Sequence, residues 1–141
     1  MFRIVKIEKP SENDHGVIYN GMNEYAAQYG MEGTGGYFFA AYDKNKKIIA
    51  AISGFDNFGT AEIGGLWIAE KYRNQGYGKA LVVKAEAWGR EKGCKVITVF
   101  TIKNWPAFGF YQNLGFKIEY ERKGHAQGTI GCYLIKEIKK T

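Results

Sequence analysis

Cysteine, proline and histidine occur only twice each in this 141-residue chain, and each scarcity removes a class of protein. Cys94 and Cys132 are too few for a disulfide framework. Neither has a Cys or His partner at metal-ligand spacing, so both read as small buried hydrophobes and no metal is expected. His15 and His125 lack an acid or nucleophile partner at a telling spacing, which leaves them as surface or loop residues. Long apolar runs are missing too, so no membrane span is expected. The first residues lack the charged, apolar and small-residue succession of a signal peptide. The expectation is a soluble cytoplasmic protein forming one domain over residues 1–141.

Glycine and positive charge are what the chain has in plenty: 19 glycines, and 20 Lys and Arg against 14 Asp and Glu, a net charge of +6. Within residues 70–95, seven basic side chains (Lys71, Arg73, Lys79, Lys84, Arg90, Lys92, Lys95) stand against three acidic ones (Glu70, Glu86, Glu91). That concentration suits a small polyanion or a solvated basic helix face. A nucleic-acid partner is not expected, because helix-turn-helix, zinc-finger and RNP patterns are all missing.

The basic residues gather around residues 62–81, EIGGLWIAEKYRNQGYGKAL. An apolar run, 63–69, gives way to a basic turn, 71–78, and then to a helix with Leu81, Ala85 and Trp88 at helical spacing. Strand, glycine turn, helix is the order of an anion site: Gly76 and Gly78 let the backbone approach a ligand, and the first N–H groups of the helix face it. A P-loop is excluded because no Gly-Lys-Ser/Thr follows, and a dinucleotide fingerprint because the three-glycine pattern is missing. A plain strand-to-helix turn would also account for the two glycines.

The remaining elements fall in order around this stretch. Residues 1–8 alternate loosely and predict a first strand. Ser11, with Asp14 three residues on, predicts the N-cap of a helix to about Tyr29. Runs 37–42 and 47–53, separated by Asp43-Lys44-Asn45-Lys46, predict an antiparallel hairpin. A second turn at 56–59 leads into a strand over 60–69. That strand carries an unexpected carboxylate, Glu62, and the doublet Gly64-Gly65, which marks a bulge or a close backbone approach. Gly93 stops the following helix, and residues 95–101 predict a strand parallel to the Ile63 strand. A helix over 107–113 comes next, with Pro106 in its first turn and Asn104 near its cap. Strands over 116–121 and 131–138 close the sheet, with a polar linker between them.

Arg73-Asn74-Gln75-Gly76-Tyr77-Gly78 resembles the Arg/Gln-x-x-Gly-x-Gly/Ala signature of the GCN5-related N-acetyltransferases. Asn104-x-x-Ala107 followed by Phe110-Tyr111-x-x-x-Gly115-Phe116 resembles a second pattern of that family. Two motifs in the family's order are more specific than either alone. The resemblance runs from about residue 37 to 138, and Pro106 departs from it, since many relatives have Gln there. It implies a mixed α/β (α+β) fold: a central, mostly antiparallel, twisted sheet of about six to seven strands with a parallel splayed pair at the cofactor site, flanked by about three to four helices. It also implies acetyl-CoA as cofactor, leaving as coenzyme A. The backbone of Leu66, Trp67 and Ile68 would hold its arm, the turn residues Arg73, Asn74, Gln75, Gly76, Tyr77, Gly78 and Lys79 its diphosphate, and Asn104, Ala107 and Phe110 would complete the site.

The implied reaction is transfer of an acetyl group to a primary amine by direct attack in a ternary complex, since neither cysteine belongs to a nucleophile arrangement. An alkylammonium titrates near ~10, so a base must free its lone pair. The resemblance points to Glu62, eleven residues before Arg73, and burial among Ala61, Ile63 and Ile68 would raise its pKa. Glu62 reads equally as an ion-paired strand residue or as a carboxylate that attracts a cationic amine. The leaving thiolate, with a conjugate acid near ~8.5, can take a proton from a phenol. The resemblance puts Tyr111 there, with a core tyrosine as the competing reading. The acceptor is a small-molecule or peptide amine that the sequence leaves unidentified, and a homodimer would cover the sheet edges. A non-catalytic acyl-CoA-binding sensor of the same fold is the alternative.

Overall fold

The computed structural model describes residues 1–32 and 34–140, in two units, Met1–Thr34 and Gly35–Thr141. In the first unit, helix α1 (Glu12–Gln28) starts at a complete capping box. The Asp14 N–H donates to Ser11 Oγ (3.0 Å) and the Ser11 N–H donates to Asp14 Oδ2 (2.7 Å). Asp thus serves where Glu is usual, and these bonds hold its carboxyl below the ordinary range. Residues 1–8, expected to be a strand, form none. A strand needs a ladder partner, and the described residues of this unit contain no other strand; the adjacent Ile4 and Val5 also break the period of two.

The second unit is built on a six-stranded sheet. Its strands are β1 (Gly36–Tyr42), β2 (Ile48–Asn57), β3 (Thr60–Ile68), β4 (Val96–Ile102), β5 (Lys117–Arg122) and β6 (Gly131–Glu137), in the order β1-β2-β3-β4-β6-β5. All neighbours are antiparallel except β3 and β4. Helix α2 (Tyr77–Glu91) connects that parallel pair and α3 (Pro106–Asn113) follows β4, so the expected mixed architecture is present. No described helix is long and apolar enough to cross a membrane.

Local chemistry explains the connections. Asp43 accepts from the Asn45 and Lys47 N–H groups (2.8 and 3.0 Å) and closes the first hairpin. Strand β2 runs on to Asn57, so the second turn tightens to Phe58 and Gly59, both at positive φ (53° and 97°) as a two-residue hairpin requires. Pro106 opens α3 as expected, but the N-cap is Trp105 with no side-chain cap, not Asn104, which sits at φ 76°. Asn tolerates that left-handed backbone and is used there for the turn.

Leu81, Val82 and Ala85 of α2 pack on Ile52, Ala61, Ile63, Ile97, Val99 and Leu134 of the sheet. Cys94 and Cys132 are buried in the same core, and burial pushes both thiols up, as suits small hydrophobes. Tyr37 on β1 lies across its register partner Gly54 on β2. It donates to the Glu62 carbonyl on β3 (2.9 Å), and its ring packs on Trp88 of α2 at 4.8 Å. A Cβ at Gly54 would run into both the Glu62 carbonyl and the Tyr37 hydroxyl. Gly54→Ala should therefore lower the unfolding free energy by about 2–3 kcal/mol, read from the urea midpoint. Gly109→Ala, in α3 with nothing within 4 Å of the new methyl, should be neutral or stabilise by up to about 1 kcal/mol. Equal midpoints for the two variants would refute the tight crossing.

Candidate active site

The parallel ladder of β3 and β4 runs from Thr60 opposite Val96 to Ile63 opposite Val99 and ends there. Strand β3 continues to Ile68 on β2, and β4 continues to Ile102 on β6, so the two strands part. The parting begins at Gly64, an extra residue on β3, because Gly54 pairs with Ile63 while Ser53 pairs with Gly65. A bulge thus falls at the glycine doublet, as expected. It also reverses which side chains face the core. Ala61 and Ile63 are buried before it; after it Leu66 and Ile68 pack on the core while Trp67 is exposed. The Ala69 N–H donates to Ile49 on β2 (2.8 Å). By strand alternation the Leu66 and Ile68 N–H groups therefore face the gap that β4 leaves.

A cleft of about 440 Å³ occupies this gap, and every residue marked above for cofactor binding lines it except Gln75 and Asn104. The turn at its rim exposes backbone donors. Asn74 and Gly76 have positive φ (60° and 91°), and Gly76 begins α2 with no side-chain cap. A Cβ on Gly76 would meet no atom within 4 Å, so the space above it is open, and the Tyr77, Gly78 and Lys79 N–H groups have no partner within the helix. Gly78 is bare for another reason. A Cβ there would lie 3.0 Å from the Phe110 ring and 3.5 Å from Ile68, so glycine lets α3 close on the start of α2. Arg73 ties turn to strand by donating from Nε to the Ile68 carbonyl (3.0 Å), while Gln75 donates to the Lys71 carbonyl (2.9 Å) and lies off the cleft. Tyr72, which the sequence did not single out, and Pro106, noted there only for its helix turn and its departure from the family pattern, also line the cleft; each stands beside a motif residue, which is the signal that would have marked them as site residues.

The two catalytic candidates face different clefts. Tyr111 is 4% exposed and lines the first cleft, with Phe110 and Phe116 edge-on at 5.1 and 5.3 Å. Burial pushes its phenol up to about 12, and raises that of Tyr37 as well. Glu62 is half-buried and not enclosed among Ala61, Ile63 and Ile68 as expected. Alternation turns it to the opposite face of the sheet, into a second cleft of about 430 Å³ that is also lined by Ile63, Gly64 and Val99, where the ladder ends. Aromatic rings wall this cleft: Tyr120 and Tyr133 stack at 4.3 Å and Phe100 meets Tyr133 at 5.0 Å. His125, expected on the surface or in a loop, lies in the connection between β5 and β6 and packs on Phe100 at 5.1 Å, and its Nε2 is the only buried side-chain polar atom without a partner among the described residues.

Splayed strands beside a glycine-opened helix start are the frame expected of GCN5-related acetyltransferases. The sequence model of the Acetyltransferase (GNAT) family matches residues 3–116, and the protein belongs to that family. It is 36% identical over 80 residues to an uncharacterized N-acetyltransferase of Chlorobaculum tepidum, a match covering 57% of this chain and 49% of the relative. The chain thus spans about half the length of that relative. A protein of Agrobacterium tumefaciens described as an acetyltransferase shares the fold, with a TM-score of 0.78 at 19% identity over 96% of this chain and 99% of its own. A Bacillus anthracis protein described as a streptothricin acetyltransferase, in complex with acetyl coenzyme A, matches 71% of this chain and 61% of its own at TM-score 0.66 and 25% identity.

The raised Tyr111 pKa carries a stability prediction. Folding favours the neutral phenol, so its contribution is complete below the unfolded value near ~10 and is lost as pH rises through about 12. Tyr111→Phe should flatten the loss of stability across that window, by on the order of 2 kcal/mol at its upper end. Urea unfolding at the two ends of the window checks this, and parallel curves for the two proteins would refute it.

Proposed function

We propose that this protein is an acetyl-CoA-dependent N-acetyltransferase that passes the acetyl group directly to an amine in a ternary complex. The parting of β3 and β4 carries this reading: Gly64 and Leu66, two residues apart on one strand, line the two clefts on either side of it. Acetyl-CoA supplies an activated acyl group on a thiolate leaving group. The open space over Gly76, the free N–H groups of the first turn of α2 and the charges of Arg73 and Lys79 fit its diphosphate.

The gap-facing N–H groups of Leu66 and Ile68 hydrogen-bond the amide arm and the carbonyl oxygen that gains negative charge as the amine attacks. A fixed donor of this kind contributes about 3 kcal/mol. Glu62 takes the proton of the acceptor ammonium, directly or through one water. Tyr111, at about 12, is a weaker acid than a thiol near ~8.5, so it steadies the leaving sulfur by donating a hydrogen bond and keeps its proton. Cys94 and Cys132 line neither cleft, which supports direct transfer over an acetyl-enzyme.

Calorimetric titration with acetyl-CoA should show saturable binding that Gly76→Val abolishes, because a β-branched residue is strained at φ 91°. With an accepted amine, Glu62→Gln should lower kcat by about 10²–10³-fold without changing the affinity for acetyl-CoA. Absence of acetyl-CoA binding by the unaltered protein overturns the reading. Binding without thiol release for any amine would mark an acyl-CoA sensor instead.

A further inference from the structure

The second cleft, which holds the Glu62 that takes the acceptor's proton on the reading above, carries more negative charge than one amine needs. In a chain of net charge +6, its lining holds two carboxylates, Glu62 and Glu119, and no Lys or Arg. Neither is in an ion pair among the described residues, whereas Glu86 pairs with Lys136 at 2.7 Å and Glu121 with Lys103 at 2.9 Å. Glu119 owes its place to a second irregularity. Pairing of β5 with β6 jumps from Ile118 opposite Leu134 to Tyr120 opposite Tyr133, so Glu119 is the extra residue of a bulge, a device that re-aims a side chain.

Strands β4 and β6 separate β3 from β5. Three strand spacings, about 14 Å between backbones, therefore lie between the residues that carry the two carboxylates. Phe55, Phe100, Tyr120 and Tyr133 line the space between. Aromatic faces attract cations, and the chain's own Arg122 guanidinium already lies over the Tyr133 ring at 5.3 Å; the remaining faces and edges are open to a cation and to methylene groups. Carboxylates on opposite sides of a ring-lined trough complement a molecule that is cationic at both ends and alkyl in the middle.

We propose that the acceptor is a small organic dication, an alkyl diamine or polyamine, whose reacting nitrogen lies at Glu62 and whose second ammonium is held by Glu119. In the transfer, Glu62 takes one proton from the reacting ammonium, the N–C bond forms, the C–S bond breaks, and the second proton the nitrogen sheds passes to the departing thiolate, which leaves as the coenzyme A thiol; the second ammonium keeps its charge throughout. Glu119 is a specificity-determining residue and takes no part in the bond changes. The assignment rests on the acetyltransferase reading for its chemistry and on the cleft alone for its selectivity.

Cadaverine and pentylamine differ only in the second nitrogen and serve as probes, for binding by calorimetry with coenzyme A present and absent, and for transfer by thiol release. Cadaverine should bind about tenfold or more tightly than pentylamine and show the same advantage in kcat/KM. Glu119→Gln should bring the ratio near one, through KM and not kcat. Glu121→Gln, whose carboxylate pairs with Lys103 and does not line the cleft, should keep the ratio. A ratio near one in the unaltered protein, a ratio that survives Glu119→Gln, or no cadaverine binding at millimolar concentration overturns the proposal. Selective binding of cadaverine without acetyl transfer would reject the enzyme and keep the dication site. Equal transfer to both amines would do the reverse.

Discussion

Backbone hydrogen bonds between β3 and β4 stop after Ile63 and Val99, and the candidate site is a consequence of that stop. An unpaired backbone N–H enclosed in a protein costs about as much as a lost hydrogen bond. Here the groups left over on Leu66 and Ile68 open onto a cleft, where water or a ligand can satisfy them. The same interruption frees the start of α2, because the strand that leads into the turn is no longer held on that side. Strand and helix donors thus line one depression, and Lys79 and Arg73 add positive charge to its rim.

Parting two strands in the middle of a sheet would let the sheet slide unless neighbouring contacts fixed the geometry. Tyr37 supplies one of these by reaching across Gly54 to the Glu62 carbonyl while packing on Trp88 of α2. Arg73 supplies another, from the turn back to the Ile68 carbonyl. Phe110 supplies a third, seated against the bare Gly78. Each fixes a different wall of the gap, and two of the three depend on a glycine at which any side chain would intrude. The glycines that look like flexibility in the sequence therefore serve close packing at Gly54 and Gly78, and an unusual backbone at Gly76.

The first cleft was legible because its parts are local. A strand, a basic glycine turn and a helix are contiguous, and their order and residue types announce themselves. Two expectations failed where the answer depended on distant partners. Residues 1–8 alternate like a strand but have no strand to pair with in their own unit. Glu62 was expected among Ile63 and Ile68, but the bulge at Gly64 reverses the alternation, so Ile68 lies on the face that Glu62 leaves. Most of the second cleft was invisible for a topological reason. Strand β6 inserts between β4 and β5 against chain order, and only that insertion brings Phe100, Tyr133 and Tyr120 side by side. His125, in the linker before β6, joins the same wall by packing on Phe100.

The two clefts differ in charge as well as in face. One has the helix start, Arg73 and Lys79; the other is lined by Glu62 and Glu119, and no Lys or Arg is among its lining residues. A sheet is thin, so fields of opposite sign lie a short distance apart with little water between them, and each side disfavours the other's ligand. On the proposed reading this sorts a polyanionic donor from a cationic acceptor before either meets the parting at Gly64. The bulge is then where the two ligands meet: Glu62 before it faces the acceptor by alternation, and beyond it the backbone of Leu66 and Ile68 opens toward the donor. A single inserted residue thus links the two halves of the reaction, and the sheet on either side of it can vary to suit a different amine without disturbing the donor side.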